Sequence, residues 1–485
     1  MAQAEQLRIA GKLSQAKKII LPILKEHSDY YGALHTLGLI EADQGHLDAA
    51  LLALTKAHAI YPESSITLVG LATVHLQMGN RDVAQRFIEE AEALGGADAA
   101  AYNTLAEILR EERDYEGALV AFDKALKLAP HWREALLGKA IVLTQLSRND
   151  ESFVILKQLL TQDNKDFAVI AALSTLPGAV RKIDLKRYFF EHKEPPASSY
   201  KEHIKYSFSR SAIHHQCEEY QESWAFLEAA NSVVAKRQKN NIEKNHKWEC
   251  ESIKALKSYK PRLLLADRDD IPISLFILGP SRSGKTTVES IIGKSNNVKV
   301  GYESAIAVNA VRTAFRNHGF ISSVQYMHLP EQIESTCREK YISELQDRSR
   351  DKRVFTNTSP ARIHDAIRLM EILPNIRFVF VKRSIADNAL RIFQTNYSSA
   401  NFYGYDLESI FNHINWYNSM IDCLTEMLPD HCMVVNYESA INDPFQIAKD
   451  VGEFIKIDIV DGEYQASNGD VGVAEPYLKF LSNYI

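Results

Sequence analysis

The first third of the chain repeats small apolar residues at a step of 34 residues. Small side chains at fixed places, followed by a helix breaker, are what two closely packed antiparallel helices require, because larger side chains would push them apart. The pattern predicts helix pairs over 31–64, 65–98 and 99–132, with a truncated pair before them and a weaker one over about 133–166. The residues linked by the step are Ala16, Ala50, Ala84 and Ala118 in one series and Ala57, Ala91 and Ala125 in another.

A different pattern begins near residue 266, where short apolar runs alternate with amphipathic stretches. Ile273–Leu278 and Ile376–Val381 are rich in β-branched and aromatic residues, so they are predicted as buried strands. Shorter runs at 353–355 and 433–435 predict two further strands. Because helical stretches lie between these runs, the pattern predicts an α/β fold with a mostly parallel sheet covered on both faces.

Residues 167–265 keep a helical pattern but lose the fixed step. Pro177 and Pro195 interrupt the pattern, and the basic stretch 235–250 predicts either a solvated helix or a linker. We therefore predict three regions: a helical superhelix of repeats over 1–166, a helical extension and linker over 167–265, and an α/β domain over 266–485.

Composition is that of an ordinary soluble chain, with 485 residues, of which 46% are hydrophobic and 24% are charged. The net charge of −6 argues against a general nucleic-acid or membrane-surface binder. The five cysteines are scattered without a CxxC pair, which is typical of a reducing compartment and argues against a cysteine metal site. The sequence contains neither a secretory signal nor an apolar run that spans a membrane, so we expect a cytoplasmic protein.

A turn of glycine and serine follows Leu278, and a helical stretch begins at Lys285. A strand, a small-residue loop and a helix N-terminus direct backbone N–H groups and the helix dipole toward one point, where an anion binds. Arg282 and Lys285 add positive charge there. We predict a phosphate-binding loop whose contacts come from Arg282, Ser283, Gly284, Lys285, Thr286 and Thr287.

Two classes of protein use such a loop, and the loop by itself fits both. The segment from Gly279 to Thr286 has the Walker A pattern G-x-x-x-x-G-K-T of P-loop kinases and NTPases. The segment from Arg282 to Ile292, RSGKTTVESII, also resembles the 5′-phosphosulfate loop of sulfotransferases. A Walker site needs an acidic residue after a second strand, whereas the clearest downstream strand runs into Lys382 and Arg383.

Three downstream segments resemble tetratricopeptide-repeat-linked sulfotransferases in the expected order. Residues 378–390 resemble the 3′-phosphate segment of that family, 405–408 (YDLE) resemble the opening of a long helix, and 436–444 (NYESAINDP) resemble a further shared segment. The array before them resembles the tetratricopeptide repeat. The chain is therefore similar to a repeat-linked sulfotransferase family that is related to the tyrosylprotein sulfotransferases.

The resemblance implies an enzyme that transfers a sulfuryl group from 3′-phosphoadenosine 5′-phosphosulfate (PAPS) to an acceptor hydroxyl, without a metal. Charge builds on the bridging oxygen as the S–O bond breaks, so Arg282 and Lys285 are predicted to stabilise the phosphate leaving group, Lys285 as a catalytic residue at a position where the family has threonine. The resemblance further implies that Arg383 and Arg391 bind the 3′-phosphate and that Glu303, 21 residues after Arg282, is the general base. The acceptor class stays open between a sugar, a peptide tyrosine and a small alcohol.

Several positions depart from the family pattern. Arg391 replaces a serine, Thr358 replaces a catalytic lysine, Ser384 and Ile385 replace Asp-Pro, and Val473 lies in a stretch that is basic in the family. These departures leave a catalytically degenerate scaffold as one alternative to an active sulfotransferase. The Walker A match of the loop leaves a P-loop NTPase or kinase as the other. The groove of the repeats is interpreted either as a rigid spacer or as a site for a protein partner or substrate, and no nucleic-acid partner is expected.

Overall fold

The computed structural model divides the chain into two compact units, Met1–His192 and Lys193–Ile485. The predicted extension over 167–265 contributes helices to both units, and the boundaries at 166 and 265 stay predictions. The residues that the structure describes are 2–78, 80–95, 98–111, 114–146, 148–187, 200–262, 264–302, 304, 306–307, 310, 330–349, 351–397, 401–460, 462–464 and 470–484.

The described part of the first unit consists of helices that pack against their neighbours along the chain. Hydrogen-bonding side chains cap some of their N-termini, as where the Ser64 hydroxyl accepts the Thr67 N–H. The helices are α1 Ala2–Ile9, α2 Leu13–Glu26, α3 Tyr31–Asp43, α4 Leu47–Ile60, α5 Ser65–Gln77, α6 Arg81–Ala93, α7 Ala99–Glu111, α8 Tyr115–Leu128, α9 Arg133–Gln145, α10 Asn149–Gln162, α11 Phe167–Thr175 and α12 Ala179–Lys182.

The alanines of the 34-residue step lie in the contacts between these helices. All members of both series have an exposed fraction of 0%. The contact between α3 and α4 is so close that a Cβ atom on Gly38 would lie 2.5 Å from Cγ of Leu54. A larger residue there would force the Leu54 side chain or helix α4 to shift, which agrees with the need for small residues at the helix contacts of the repeats.

The second unit contains both helices and strands, in the alternation that the apolar pattern predicts. Its elements are α13 Tyr200–Gln216, α14 Tyr220–Ser258, β1 Ile273–Leu278, α15 Lys285–Ile292, β2 Val298–Lys299, α16 Glu331–Ser349, β3 Val354–Asn357, α17 Ala366–Ile372, β4 Ile376–Lys382, α18 Ile385–Phe393, α19 Leu407–Met427, β5 Cys432–Asn436, α20 Tyr437–Asn442, α21 Pro444–Ile455 and α22 Leu478–Leu481.

The five strands form one parallel sheet in the order β2-β3-β1-β4-β5. Successive side chains of a strand point to opposite faces, so β1 contributes to two cores. Phe276 and Leu278 pack with residues of α16, α17 and α19, whereas Leu275 and Ile277 pack with residues of α15 and α21. The predicted α/β fold, with helices on both faces of a parallel sheet, is confirmed.

The strand order places the carboxyl ends of β1 and β4 side by side. The chain leaves β1 toward β2 and β3 on one side and returns to β4 on the other, so the connections diverge between β1 and β4. Open α/β sheets bind ligands at such a point, outside the carboxyl ends of the strands. Gly279 follows β1 there, and Arg383 follows β4.

Helix α14 contains the basic stretch 235–250, which is mostly exposed, so of the two interpretations the solvated helix agrees with the structure and the linker does not. The stretch lies inside one helix of 39 residues, which is about 58 Å long at 1.5 Å per residue. Near its C-terminal end Glu249 and Ser252 are buried, and the Ser252 hydroxyl accepts a hydrogen bond from Nε1 of Trp416 in α19 at 3.0 Å. This helix is long but polar, and no helix of the described residues has the length and apolar character to cross a membrane.

The chain between β3 and β4 forms a 3₁₀ turn, Pro360–His364, and then α17. Helix α18 begins after Ser384, whose hydroxyl accepts the Asp387 N–H at 3.5 Å. The Asp387 carboxylate accepts the Gly472 N–H at 2.7 Å.

Candidate functional site

The loop between β1 and α15 contains two residues with a left-handed backbone and two glycines in close contact with neighbouring elements. Gly284 has φ +95°, and Arg282 has φ +62°. A Cβ atom on Gly284 would lie 2.0 Å from the ring of Tyr437, and one on Gly279 would lie 2.5 Å from the carbonyl oxygen of Val381 in β4. The two glycines therefore hold the loop against the ends of the neighbouring elements, with the N-terminus of α15 beside it.

Ser283 lies at the centre of this loop with a buried hydroxyl. Its exposed fraction is 0%, and no described group makes a hydrogen bond with its Oγ atom. A buried hydroxyl without a partner is costly. The Ser283 hydroxyl lies directly before the N-terminus of α15, where the helix dipole favours an anion.

Lys285 is folded over the loop rather than extended into solvent. Its exposed fraction is 7%, and Nζ donates to the carbonyl oxygen of Pro280 at 2.8 Å. The charge of the ammonium group is therefore held within the loop, in a partly desolvated position where its field is stronger than in water. Thr286 and Thr287 follow in the first turn of α15 and are half-buried.

Arg282 and Arg383 are joined through the loop backbone. Arg383 follows β4 and is buried, and its Nη1 donates to the carbonyl oxygen of Arg282 at 3.1 Å. Its guanidinium carbon lies 4.4 Å from the ring centroid of Tyr437. The Arg282 side chain is exposed, and its Nε donates to the hydroxyl of Thr395 at 3.1 Å. The predicted loop cation and the predicted 3′-phosphate cation therefore lie next to each other.

Arg391 completes this group of arginines. Its Nη2 lies 2.5 Å from Oδ1 of Asp470, and the Asp470 carbonyl oxygen accepts a hydrogen bond from Nη2 of Arg383. The Thr395 hydroxyl accepts a hydrogen bond from Nε of Arg282 and donates one to the Arg391 carbonyl oxygen at 2.7 Å. The structure thus brings Arg282, Arg383 and Arg391 into one region beside the loop.

Sequence reasoning missed several residues that hold the site together. Tyr397 places its hydroxyl 2.8 Å from Oγ of Ser281, and Nδ2 of Asn388 donates to the Ser281 carbonyl oxygen at 2.6 Å. Nothing in the sequence marks either residue as a loop contact. A contact of Tyr437 with the loop could have been predicted from the sequence. Tyr437 directly follows β5, and the carboxyl ends of parallel strands meet at one edge of a sheet.

Glu303, the predicted general base, lies outside the described residues. The residue before it, Tyr302, has φ +49° and is held from two sides. Its N–H donates to Oε1 of Glu289 in α15 at 3.0 Å, and its carbonyl oxygen accepts the Thr358 N–H at 2.8 Å. Thr358 follows β3 and has a buried hydroxyl without a partner among the described residues.

An aromatic cluster surrounds His364 at the end of the 3₁₀ turn that follows β3. The His364 ring centroid lies 4.0 Å from that of Trp248 and 5.0 Å from that of Trp416. In the same cluster Nδ1 of His413 lies 2.6 Å from Oε1 of Glu249, which links α19 to α14. Burial chiefly, with the charges of His413 and Arg362, lowers the pKa of His364 from 6.5 to about 3.

The lowered pKa of His364 predicts a loss of stability on acidification. The unfolded chain binds a proton at this histidine below about pH 6.5, whereas the folded chain does so only near pH 3, so stability falls as the pH falls between these values. Between about pH 7.5 and about pH 5.5 the residue accounts for a loss of about 1.4 kcal/mol in the free energy of unfolding. The measurement is the free energy of unfolding by urea at both pH values. The difference between the two values is expected to be smaller in His364→Phe than in the unmodified protein, by about 1.4 kcal/mol.

The control for this prediction is His246→Phe, which removes an exposed histidine of α14. That variant is expected to keep the pH dependence of the unmodified protein. An unchanged pH dependence in His364→Phe would contradict the assignment of a buried neutral imidazole.

Comparison with known proteins identifies two families along the chain. Residues 272–461 match the profile of the sulfotransferase family, and residues 41–108 and 109–176 each match the profile of the tetratricopeptide repeat. A comparison with curated proteins gave no significant match. The two family matches confirm the resemblance predicted from the sequence.

Solved structures similar to the chain include proteins of the repeat class. A tetratricopeptide repeat protein of Parabacteroides merdae is 20% identical, with 48% of this chain and 90% of that chain covered and a TM-score of 0.36. PilF of Pseudomonas aeruginosa is 17% identical, with 42% of this chain and 91% of that chain covered and a TM-score of 0.36. TTC0263, a tetratricopeptide protein of Thermus thermophilus, is 17% identical, with 39% of this chain and 97% of that chain covered and a TM-score of 0.33.

Proposed function

Since residues 272–461 form a domain of the sulfotransferase family, we propose that the second unit transfers a sulfuryl group from PAPS to an acceptor hydroxyl. One observation carries the proposal: two cationic sites lie side by side, at the β1 loop and at Arg383 with Arg391. PAPS and its product, adenosine 3′,5′-bisphosphate, carry anionic groups at both the 3′ and the 5′ position of one ribose. A nucleotide with a single phosphate group would leave one of the two sites unused.

The loop would receive the 5′-phosphosulfate. Transfer breaks the bond between sulfur and the bridging oxygen, and that electron pair leaves with the 5′-phosphate. Groups that already point at this oxygen stabilise the transition state more than the ground state. Lys285, with Nζ held over the loop, supplies such a charge, while the Ser283 hydroxyl and the first N–H groups of α15 supply hydrogen bonds.

The acceptor completes the reaction from the other side of the sulfur. Its hydroxyl oxygen forms the new S–O bond as its proton passes to a base, for which we propose Glu303. Tyr302, the residue before Glu303, donates its N–H to Oε1 of Glu289, so the described chain up to this point is tied to α15. A base held in a fixed place lowers the entropic part of the barrier.

A second candidate function is nucleotide binding without transfer. Thr358 favours it, because a buried hydroxyl stands where the resembling enzymes have a catalytic lysine. Lys285 supplies a charge from a different position, on the loop itself. Binding and turnover must therefore be measured separately.

Nucleotide binding tests the proposed function. Calorimetric titration of the full chain is expected to show tighter binding of adenosine 3′,5′-bisphosphate than of AMP, because only the first engages Arg383 and Arg391. ATP with Mg²⁺ is the third titrant. Binding of ATP with Mg²⁺ alone would overturn the proposal in favour of a P-loop NTPase or kinase.

Replacement of Arg383 sharpens this test. A charge-assisted phosphate contact contributes about 1.5–3 kcal/mol, so Arg383→Ala should weaken bisphosphate binding by about tenfold to over a hundredfold and AMP binding far less. Lys382→Ala is the matched control, since it removes the adjacent cation, whose Nζ pairs with Asp422 instead. Equal losses for both nucleotides would show that Arg383 does not bind the 3′-phosphate.

The repeats of the first unit are a class of structure that mediates protein interactions. We propose that their concave face binds a protein partner or a protein acceptor for the second unit. A cytoplasmic location is likewise a proposal, which rests on the scattered cysteines.

A further inference from the structure

The segment 470–474 is held against the proposed 3′-phosphate site by bonds to its backbone. The Asp387 carboxylate accepts the N–H of Gly472 at 2.7 Å and the N–H of Ala474 at 2.8 Å. The Tyr437 hydroxyl accepts the Asp470 N–H at 3.2 Å. These bonds fix the position of Asp470 through its own backbone, independently of its carboxylate.

The Asp470 carboxylate faces Arg391. One of its oxygens lies 2.5 Å from Nη2 of Arg391, while the Asp470 carbonyl oxygen accepts from Arg383. The Nε atoms of both arginines are buried and have no partner among the described residues. Each terminal nitrogen of a guanidinium carries two N–H groups, so both arginines keep donors beyond their contacts with Asp470, and a phosphate with three acceptor oxygens can use them.

The ion pair between Arg391 and Asp470 is accessible to solvent. The two side chains are 26% and 50% exposed. Exposed pairs of this kind are weak, so an incoming anion with higher charge can replace the carboxylate. A 3′-phosphate carries more charge than one carboxylate, whereas a free 3′-hydroxyl carries none.

We propose that Asp470 is a specificity-determining residue of the 3′-phosphate site, an inference that rests on the proposed function. Its carboxylate neutralises Arg391 in the nucleotide-free protein and competes with the 3′-phosphate for that guanidinium. A nucleotide with a 3′-hydroxyl gains nothing from Arg391, because the hydroxyl cannot displace a carboxylate. A nucleotide with a 3′-phosphate displaces it and gains the contact, at an affinity reduced by the competition.

The competing explanation makes the opposite prediction. If Asp470 instead orients Arg391 for the phosphate, removing its charge would weaken bisphosphate binding. The sign of the change on substitution therefore separates competition from orientation.

The experiment is calorimetric titration of the full chain with adenosine 3′,5′-bisphosphate and with AMP, for the unmodified protein and for Asp470→Asn. Asparagine keeps the size of the side chain and leaves the backbone bonds of the segment in place. We expect Asp470→Asn to bind the bisphosphate about three- to tenfold more tightly. The substitution removes the weak ion pair between Asp470 and Arg391, and it also removes the repulsion between the Asp470 carboxylate and the 3′-phosphate. Affinity for AMP should stay within about twofold.

Asp422→Asn is the matched control. Asp422 is also in the second unit and pairs with Lys382, and the side chains of that pair are 59% and 27% exposed, close to the values for Asp470 and Arg391. It removes the same charge from the chain without touching Arg391, and its nucleotide affinities should not change. If Asp422→Asn increases the affinity for the bisphosphate by the same factor, then the change in net charge alone explains the result, and the inference is overturned.

The remaining outcomes separate this inference from the proposed function. Unchanged or weaker bisphosphate binding in Asp470→Asn, with the unmodified protein still preferring the bisphosphate over AMP, overturns the competition alone. If the unmodified protein does not prefer the bisphosphate, the proposed function fails and this inference fails with it.

Discussion

Replacement of Glu303 by glutamine is expected to remove most of the turnover and to leave nucleotide affinity unchanged. A general base contributes about 10²–10⁴-fold to the rate, which makes this the largest effect that we predict for a single side chain. The base acts on the acceptor hydroxyl rather than on the nucleotide, so its loss changes the transition state and not the bound ground state. Glutamine keeps the shape of the side chain and removes the basic oxygen.

The described neighbours of Glu303 support this choice of base. Tyr302, directly before it, has a left-handed backbone and is bonded to Glu289 of the loop helix and to Thr358 at the end of β3. The Glu289 carboxylate also accepts the Thr356 hydroxyl and is buried. A backbone that is fixed in this way at the carboxyl edge of the sheet is a suitable support for a catalytic group.

The measurement is sulfuryl transfer from PAPS to a panel of acceptors, together with titration of the bisphosphate product. Glu303→Asp, which retains a carboxylate on a shorter side chain, should recover part of the activity that Glu303→Gln loses. Full activity in Glu303→Gln would place the base elsewhere. If the unmodified protein transfers to no acceptor of a broad panel yet binds the bisphosphate tightly, binding without catalysis is the better description.

The repeats of the first unit were predictable because their contacts depend on local sequence. Two neighbouring helices meet at the same positions in every repeat, so the small residues recur at a fixed step and can be found without a structure. Gly38 shows the constraint directly, because a Cβ atom would meet Leu54 of the next helix. The α/β fold was predictable for a similar reason, since Ile273–Leu278 and Ile376–Lys382 are buried on both faces and are continuously apolar over most of their length.

The loop and Arg383 were predictable because both follow strands that the sequence identifies. The pairing of Arg391 with Asp470 was not, because the two residues lie 79 positions apart and no local pattern links them. The same holds for His413 and Glu249, which lie 164 positions apart. A charged residue in a polar helix such as α14 is expected in solvent, and only the packing against α19 shows that Glu249 is buried.

The stretch around Val473 is held in place through its backbone. The sequence comparison treats Val473 as a loss, because the resembling family has basic residues in this stretch. In the structure the segment is held by backbone N–H groups of Gly472 and Ala474, which bind the Asp387 carboxylate. Backbone bonds do not depend on side-chain identity, so the segment keeps its place beside Arg383 without those basic residues.

Gly284→Ala is expected to cost about 2–5 kcal/mol of stability in the second unit and to weaken nucleotide binding roughly a hundredfold in the molecules that remain folded. The residue has φ +95°, which costs an L-residue about 1–2 kcal/mol. Its Cβ atom would also lie 2.0 Å from the Tyr437 ring, and such overpacking costs about 1–3 kcal/mol more. Because Tyr437 also contacts Arg383 and Asp470, movement of the ring would disturb both anion sites, and the loss of two phosphate contacts accounts for the weaker binding.

The measurement is urea unfolding followed by tryptophan fluorescence, since three of the four tryptophans, Trp224, Trp248 and Trp416, lie in the second unit. Gly472→Ala is the control. Gly472 has φ +74°, and the atom nearest to a Cβ atom added there would be a carboxylate oxygen of the flexible Glu475 side chain at 3.0 Å. The control should therefore show the backbone cost of about 1–2 kcal/mol without the collision with a ring. If Gly284→Ala costs no more than Gly472→Ala, then the Tyr437 ring yields freely, and the close contact between the loop and α20 does not fix the geometry of the site.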